Sequence, residues 1–260
     1  MELLTEIQLS NTDPKAAGHQ IRAALSQAKV VWAKPQGGIQ DLRSFYDGVV
    51  ENVGAPIEIG EDFRNQGEKT NERWLEIRYD ADVPDDIAFR HSKNAQPLHT
   101  DESYVSDPGD VMLFYCVNRA PSGGATVFVD SDRVLSLLEE RDPDLLADLR
   151  AKPVRYSKAN DQRSRPILTE SNGKVSLNFN YYCVDRNQGR AHIDLNNRFF
   201  AFCEEIRANR DELAVVELAP GEAVAWWDDT VLHGRDAFVA SKSDDRLIWK
   251  AGIKVESLSV

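Results

Sequence analysis

Short apolar runs separated by turn-forming residues dominate the chain from Trp74 onward. Turns such as Asp107-Pro108-Gly109 and Ala219-Pro220-Gly221 divide these runs. Short apolar runs between turns that contain glycine and proline predict the β-strands of a sandwich or barrel. We expect strands over residues 74–78, 97–101, 111–116, 125–129, 175–179, 215–218, 223–227 and 247–254.

Helical patterns flank and interrupt this β region. Asp13-Pro14 is typical of a helix N-cap followed by proline in the first turn, and apolar residues recur at helical spacing from Ile21 to Ala28. A strand over 30–32 and a helix over 41–52 complete a mixed α and β part at about residues 1–94. Further helices are predicted over 131–140 and 195–209. The fold class is therefore mainly β with α: a jelly-roll core at about 95–255 with flanking helices and a helical insertion at about 131–210.

Composition limits the class of protein and of partner. The chain has 260 residues, of which 42% are hydrophobic and 28% charged, so we expect a single globular domain over 1–260. Lysine and arginine number 31 against 43 aspartates and glutamates, and this net charge of −12 disfavours nucleic acid and anionic membranes as partners. No apolar run approaches the roughly 20 residues that span a bilayer, so we expect no membrane segment and a cytoplasmic location. The three cysteines, Cys116, Cys183 and Cys203, form no C-x-x-C pair and are expected to be buried, reduced thiols.

Two of the five histidines begin an H-x-D triplet. His192-Ile193-Asp194 leads into the helix predicted at 195–209, where Asp194 or Asn196 would act as the N-cap. His99-Thr100-Asp101 lies on a predicted strand instead, where alternation directs the first and third side chains to one face. His99 and Asp101 are therefore candidate ligands of one metal ion.

His233 is the candidate for a third ligand. It follows an apolar strand and a polar turn, and the next residue is Gly234, which leaves room beside it. Together with His99 and Asp101 it would form the set of two imidazoles and one carboxylate that holds Fe(II) and leaves three positions open. The alternative is that all three are ordinary polar residues at the rim of a barrel.

Four segments, in order, resemble the signature of the taurine dioxygenase and clavaminate synthase-like family. They are 98–101 (Leu-His-Thr-Asp), 122–126 (Ser-Gly-Gly-Ala-Thr), 232–238 (Leu-His-Gly-Arg-Asp-Ala-Phe) and Arg246. The resemblance covers about residues 95–255. It implies a double-stranded β-helix, which is a form of jelly roll, and a reaction that uses Fe(II), 2-oxoglutarate as cosubstrate and dioxygen.

The resemblance also implies roles for single residues. His99, Asp101 and His233 would bind the iron, Arg246 would bind the distal carboxylate of 2-oxoglutarate, and Thr126 would donate a hydroxyl hydrogen bond to the same group. A guanidinium suits the arginine role because it binds a carboxylate through two hydrogen bonds and stays charged. The alternatives are a surface ion pair of Arg246 with Asp244 or Asp245, and an ordinary strand position for Thr126.

Substrate contacts are less specifically marked. Lys250 lies on the same predicted strand face as Arg246, where relatives often carry a basic residue that meets an acidic group of the substrate. Its alternative is a strand lysine whose ammonium extends to solvent. Gln96, Tyr104, Phe179 and Trp226 are candidates for the pocket wall near the iron, or for the core.

The expected activity is hydroxylation of an unactivated C–H bond in a small polar metabolite, an amino acid or related carboxylate, free or tethered to a carrier. A carboxylate at position 101 argues against halogenation, since halide would need that iron position. Two alternatives stay open: a redox-neutral metalloenzyme of the cupin type, and a non-catalytic sensor that binds 2-oxoglutarate.

Overall fold

A computed structural model describes residues 1–58, 72–82, 89–158 and 160–256. The strands, numbered along the chain, are β1 (Glu2–Leu9), β2 (Ala28–Pro35), β3 (Ala55–Pro56), β4 (Leu75–Arg78), β5 (Gln96–His99), β6 (Val111–Asn118), β7 (Ser122–Gly123), β8 (Thr126–Asp130), β9 (Pro153–Lys158), β10 (Asp161–Pro166), β11 (Leu168–Ser171), β12 (Lys174–Leu177), β13 (Ala214–Val216), β14 (Ala223–Trp227), β15 (Val231–Arg235), β16 (Phe238–Val239) and β17 (Leu247–Lys254). The helices are α1 (Pro14–Leu25), α2 (Leu42–Val53), α3 (Ser131–Arg141), α4 (Pro143–Ala151) and α5 (Arg190–Ala208).

Two sheets form the β core. The larger has the order β1-β2-β14-β6-β17-β3, with β4 also paired to β17, and the smaller has the order β13-β8-β15-β5. Neighbours such as β14 and β6, or β15 and β5, are far apart in sequence and pair antiparallel. This crossing connectivity between two sheets is that of a jelly roll, as the strand pattern predicts.

Three apolar clusters define the layers of the molecule. Met112, Phe114 and Trp226 of the larger sheet pack against Phe128 and Val231 of the smaller sheet, and this cluster fills the space between the sheets. A second cluster joins α1 and α2 to the outer face of the larger sheet. A third covers the outer face of the smaller sheet with α3, α4, α5 and strands β9 to β12.

The N-terminal helices begin where the sequence predicts. The side chain of Asp13 accepts a hydrogen bond from the amide of Ala16, and that of Asp41 accepts one from Ser44. Each bond satisfies an amide that the first helical turn leaves without a partner.

The predicted start of the last helix is wrong. Helix α5 begins at Arg190, and its N-cap is Gly189, which has no side chain that could accept a hydrogen bond. Asp194 is therefore in the second turn, where it pairs with Arg190, and Asn196 is buried and accepts a hydrogen bond from the hydroxyl of Tyr156. Neither residue caps the helix, because the helix begins more than one turn before its first buried apolar residue, Leu195.

The segment 131–210 contains more β structure than predicted. Besides α3, α4 and α5 it holds two antiparallel hairpins, β9–β10 and β11–β12, of which only β12 overlaps a predicted strand, 175–179. Strand β1 was not predicted either, and it pairs parallel with β2 at the edge of the larger sheet. Strand β10 carries arginines on its inner face and so lacks the apolar signal on which the strand prediction depends.

Cys116, Cys183 and Cys203 are buried and free, as expected. Burial raises the pKa of Cys116 to about 11, so this thiol stays protonated. In the described ranges, no helix combines the length and the apolar character needed to cross a bilayer.

Candidate metal and cosubstrate site

His99, Asp101 and His233 come together at one point between the two sheets. Strands β5 and β15 pair so that His99 and His233 are directly opposite, with ring centroids 4.2 Å apart. Strand β5 ends at His99, so Asp101 lies in the following turn rather than on the strand, and its carboxylate is directed back at both rings. One oxygen is 3.7 Å from Nε2 of His99 and the other is 3.6 Å from Nε2 of His233. A ligand atom from each residue lies within 4.8 Å of the others.

The surroundings of the two imidazoles suit metal binding. Nδ1 of His99 lies 2.9 Å from the carbonyl oxygen of Pro97, which can only accept, so Nδ1 carries the proton and Nε2 carries a lone pair. Burial, with His99 close by, holds the pKa of His233 well below its usual range, so this ring is neutral. Two imidazoles and a carboxylate are the donor set expected for Fe(II).

Lys250 forms a buried ion pair with Asp101. Its Nζ lies 2.7 Å from Oδ2 of Asp101, and only 7% of the lysine side chain is exposed. Burial opposes ionisation of Asp101, but the ammonium of Lys250 beside it holds the pKa of Asp101 well below its usual range. The ammonium of Lys250 therefore does not extend to solvent, and it stands beside the candidate metal ligands.

A second acidic residue, Asp228, joins the two segments that carry the ligands. Its Oδ1 accepts hydrogen bonds from Nε1 of Trp226 and from the backbone amide of Asp101, and it lies 3.8 Å from Nδ1 of His233. The separation from Nδ1 of His233 is longer than a hydrogen bond, so Asp228 ties Asp101 to Trp226 beside this ring. The sequence analysis missed this role; its signal is a carboxylate in the turn just before His233.

Arg246 is a buried cation with no anionic partner. It is 4% exposed, and its closest polar contact is a long 3.5 Å hydrogen bond to the carbonyl of Gly124. In the part of the chain that the structure describes, no carboxylate lies within ion-pairing distance of it; Asp244 pairs with Arg78 and Asp245 binds Ser241. Burial lowers the pKa of Arg246 to about 10, so it is charged at neutral pH and lacks a counter-ion.

Arg246 and Thr126 line one pocket. Thr126, Gly124 and Cys116 border it together with Arg246 and Ile248. Gly124 has φ +79°, and a Cβ at that position would lie 3.2 Å from Nε of Arg246, so glycine lets the guanidinium reach the pocket wall. Arg246 and Thr126, which carries a hydroxyl, thus border the same cleft.

The remaining candidates occupy different surroundings. Nε2 of Gln96 lies 3.1 Å from Nε2 of His99, next to the metal-facing nitrogen. Trp226 is fully buried with its ring 4.8 Å from that of His233, so it supports a ligand from the core. Tyr104 and Phe179 are buried in the apolar cluster outside the smaller sheet.

The comparisons with known proteins agree with this geometry. The model of the family described as "Taurine catabolism dioxygenase TauD, TfdA family" matches residues 4–251. A mitochondrial trimethyllysine dioxygenase of Gallus gallus is 28% identical over 165 residues, which are 57% of this chain and 38% of the relative. A uridine-5'-phosphate dioxygenase of Streptomyces sp is 27% identical over 178 residues, 62% of each chain. The chain thus spans well under two thirds of the trimethyllysine dioxygenase.

Solved structures of low sequence identity share the fold. An asparagine oxygenase in complex with Fe(II), 2S,3S-3-hydroxyasparagine and succinate superposes with a TM-score of 0.70 at 14% identity, covering 93% of this chain and 82% of the other. A taurine dioxygenase from Burkholderia xenovorans gives 0.66 at 14% identity, covering 98% and 88%. The core is the double-stranded β-helix that the resemblance implied. With nearly its whole length matched by the family model, the chain belongs to the TauD/TfdA family of dioxygenases.

Proposed function

We propose that this protein is an Fe(II)- and 2-oxoglutarate-dependent dioxygenase that hydroxylates an unactivated C–H bond of a small polar metabolite. The observation that carries the proposal is the proximity of two kinds of site inside one barrel. Two histidines and one aspartate form a set that fits Fe(II). Lys250 of strand β17 contacts that aspartate. Arg246, directly before β17, is buried and has no counter-ion among the described residues.

Each side chain has a task in this reaction. When bound, Fe(II) activates dioxygen, so that the substrate C–H becomes C–OH while 2-oxoglutarate becomes succinate and carbon dioxide. His99, Asp101 and His233 hold the metal on one side. Arg246 and the hydroxyl of Thr126 bind the distal carboxylate of 2-oxoglutarate, which supplies the anion that the buried guanidinium lacks. The apolar cluster between the sheets excludes water from the reacting atoms.

The substrate is proposed to carry an acidic group, as an amino acid or related carboxylate does. Lys250 supports this, because its ammonium has three donors and Asp101 occupies only one side of it. The relatives named above point the same way, since trimethyllysine and uridine-5'-phosphate are small, polar and charged. A substrate of this kind suits the site either free or tethered to a carrier.

The test is succinate formation from 2-oxoglutarate with Fe(II), in air and without oxygen, across a panel of free amino acids and small acids. We expect oxygen-dependent succinate, accelerated by the correct substrate, and none from Asp101→Ala. Binding of 2-oxoglutarate without succinate under any condition would indicate a sensor and refute the proposal. Turnover of a substrate without oxygen would indicate a redox-neutral metalloenzyme, for which the buried Arg246 has no use.

A further inference from the structure

The hairpin β9–β10 turns two arginines toward the protein interior. Arg163 pairs across the hairpin with Tyr156, and Arg165 pairs with Val154. Cross-strand partners share a face of the sheet, and Tyr156 and Val154 are fully buried. Arg163 and Arg165 are therefore on the inner face, and both are half-buried, whereas the residues that alternate with them in β10 are exposed.

Within the described ranges, neither arginine has an acidic partner. Arg165 donates to the neutral hydroxyl of Thr169 at 2.9 Å, and Arg163 has no hydrogen-bond acceptor or ion-pair partner among the residues that the structure describes. This is unusual in a chain with 12 more acidic than basic side chains. On the same insertion, Arg155 pairs with Asp185 and Arg150 with Glu170, each at 2.6 Å.

Two acidic groups whose charge reaches Arg163 are each paired with a lysine. Asp107 and Asp229 act on Arg163 through their charge, but Asp107 pairs with Lys254 at 2.5 Å and Asp229 with Lys174 at 2.8 Å. Burial, followed by the neighbouring Arg165, lowers the pKa of Arg163. Two half-buried guanidiniums that repel one another are stabilised when an oxyanion binds between them.

The hairpin is at the end of the barrel that carries the candidate metal ligands. Asp107 belongs to the connection that follows Asp101, and Asp229 belongs to the turn that precedes His233. Nζ of Lys158, also in the hairpin, lies 5.6 Å from the ring centroid of Tyr104, which is in the same connection as Asp107. The inner face of the hairpin thus borders both segments that lead to the metal-facing side chains.

We propose that Arg163 and Arg165 form a subsite for an oxyanion, a phosphate or carboxylate group of the primary substrate distant from the oxidised carbon. The inference rests on the proposed function, because it takes the bound anion to be part of the substrate. Guanidiniums suit this role since they present paired donors to phosphate and carboxylate oxygens alike. The substrate is then a small metabolite with two anionic groups, one that contacts Lys250 and a second that binds to Arg163 and Arg165.

The test is calorimetric titration of protein loaded with Zn(II) and 2-oxoglutarate, so that the site of Arg246 is already filled. Phenyl phosphate and benzoate are the probes, and the better binder identifies the oxyanion. We expect the wild type to bind at least one probe and the double variant Arg163→Gln/Arg165→Gln to raise its dissociation constant about tenfold or more. Arg150→Gln, which removes one exposed positive charge from the same insertion, is the matched control and should bind as the wild type does.

The inference is overturned if neither probe binds the wild type, or if the double variant binds as tightly. Circular dichroism establishes that the double variant is folded; if it is not, Arg163→Gln alone decides, with a severalfold loss expected. Failure of the proposed function is distinguished by a separate measurement, the oxygen-dependent formation of succinate by the wild type. That measurement does not depend on whether either probe binds.

Discussion

Asp101 and Lys250 bury opposite charges 2.7 Å apart, so neither can be replaced without leaving the other unpaired. In metal-free protein, Asp101→Asn and Lys250→Met should each lower the free energy of unfolding by about 3–5 kcal/mol, since an uncompensated buried charge is costly. The double variant should lose much less than the sum of the two. Urea denaturation of all four proteins measures the coupling.

Lys254 provides the control for this cycle. It lies four residues further along β17 and pairs with Asp107, whose side chain is 85% exposed. Lys254→Met should change the free energy of unfolding by only about 0–1 kcal/mol. Additive losses in the Asp101 and Lys250 variants would mean that the two side chains do not stabilise one another.

Arg246 is a buried cation without a counter-ion among the described residues, so its environment is the one that most directly indicates a ligand. Arg246→Ala should raise the dissociation constant of 2-oxoglutarate by about two orders of magnitude, because the buried carboxylate then lacks its ionic partner. Anaerobic calorimetry with Fe(II)-loaded protein measures this change. Arg119→Ala is the control, because Arg119 lines the same pocket but is 47% exposed and pairs with Glu217. Equal effects of the two substitutions would contradict a specific anchor.

The sequence could predict the residues of the site but not all of their contacts. His99, Asp101, His233 and Arg246 stand in local motifs with a fixed order, so their chemistry is visible before folding. The contact of Lys250 with Asp101 and the bridging position of Asp228 depend on how three separate segments meet. That information is in the pairing of strands, which no single stretch of sequence carries.

At the level of elements, the pairing of β5 with β15 sets the distance between the two histidines. The register between these strands shifts after His233, and Gly234 is at this irregularity. A Cβ on Gly234 would lie 2.7 Å from the carbonyl oxygen of Gln96, closer than packed atoms allow. Glycine therefore permits β15 to approach β5 closely beside the candidate metal site.

Gly234→Ala should force the two strands apart and misplace His233. We expect the free energy of unfolding to fall by about 1–3 kcal/mol, as for other overpacked positions, and Fe(II) affinity to fall with it. Competition with a colorimetric chelator under anaerobic conditions measures the affinity. Gly38→Ala, where a Cβ would meet nothing within 4 Å, should leave both quantities unchanged. If Gly234→Ala binds Fe(II) as tightly as the wild type, the close approach of the two strands is not needed for metal binding.

The long, mostly buried strands of the core were predictable, and β10, whose inner face is polar, was not. Strands β6, β14 and β17 are buried along most of their length and were predicted close to their observed bounds. Strand β10 has arginines where an apolar strand would have valine or isoleucine, so its pattern gave no strand signal. The inward-facing arginines that prevented the prediction of β10 as a strand are the same residues for which we propose a ligand.

For the whole molecule, the two sheets and their outer helical layers follow from apolar patterning, but the order of strands does not. The larger sheet places β14 between β2 and β6, strands that are separated by more than 70 residues along the chain. Such pairings are set by the total burial that the finished core achieves, and local propensity contributes little to them. The family resemblance supplied the topology that periodicity alone left open.

Metal binding should stabilise the folded molecule as a whole, because the three candidate ligands converge only when β5 and β15 are paired. At a hundredfold excess of free metal over its dissociation constant, linkage adds about 2.7 kcal/mol. At roughly 2–4 °C per kcal/mol for a chain of this size, the midpoint of thermal unfolding should rise by about 5–10 °C with Fe(II) under anaerobic conditions. His99→Ala should abolish the rise. The control is His192→Ala in the other H-x-D triplet, whose histidine is in the first turn of α5. This variant should keep the full rise. If it loses the rise, the metal binds at His192 and not at the candidate site in the barrel.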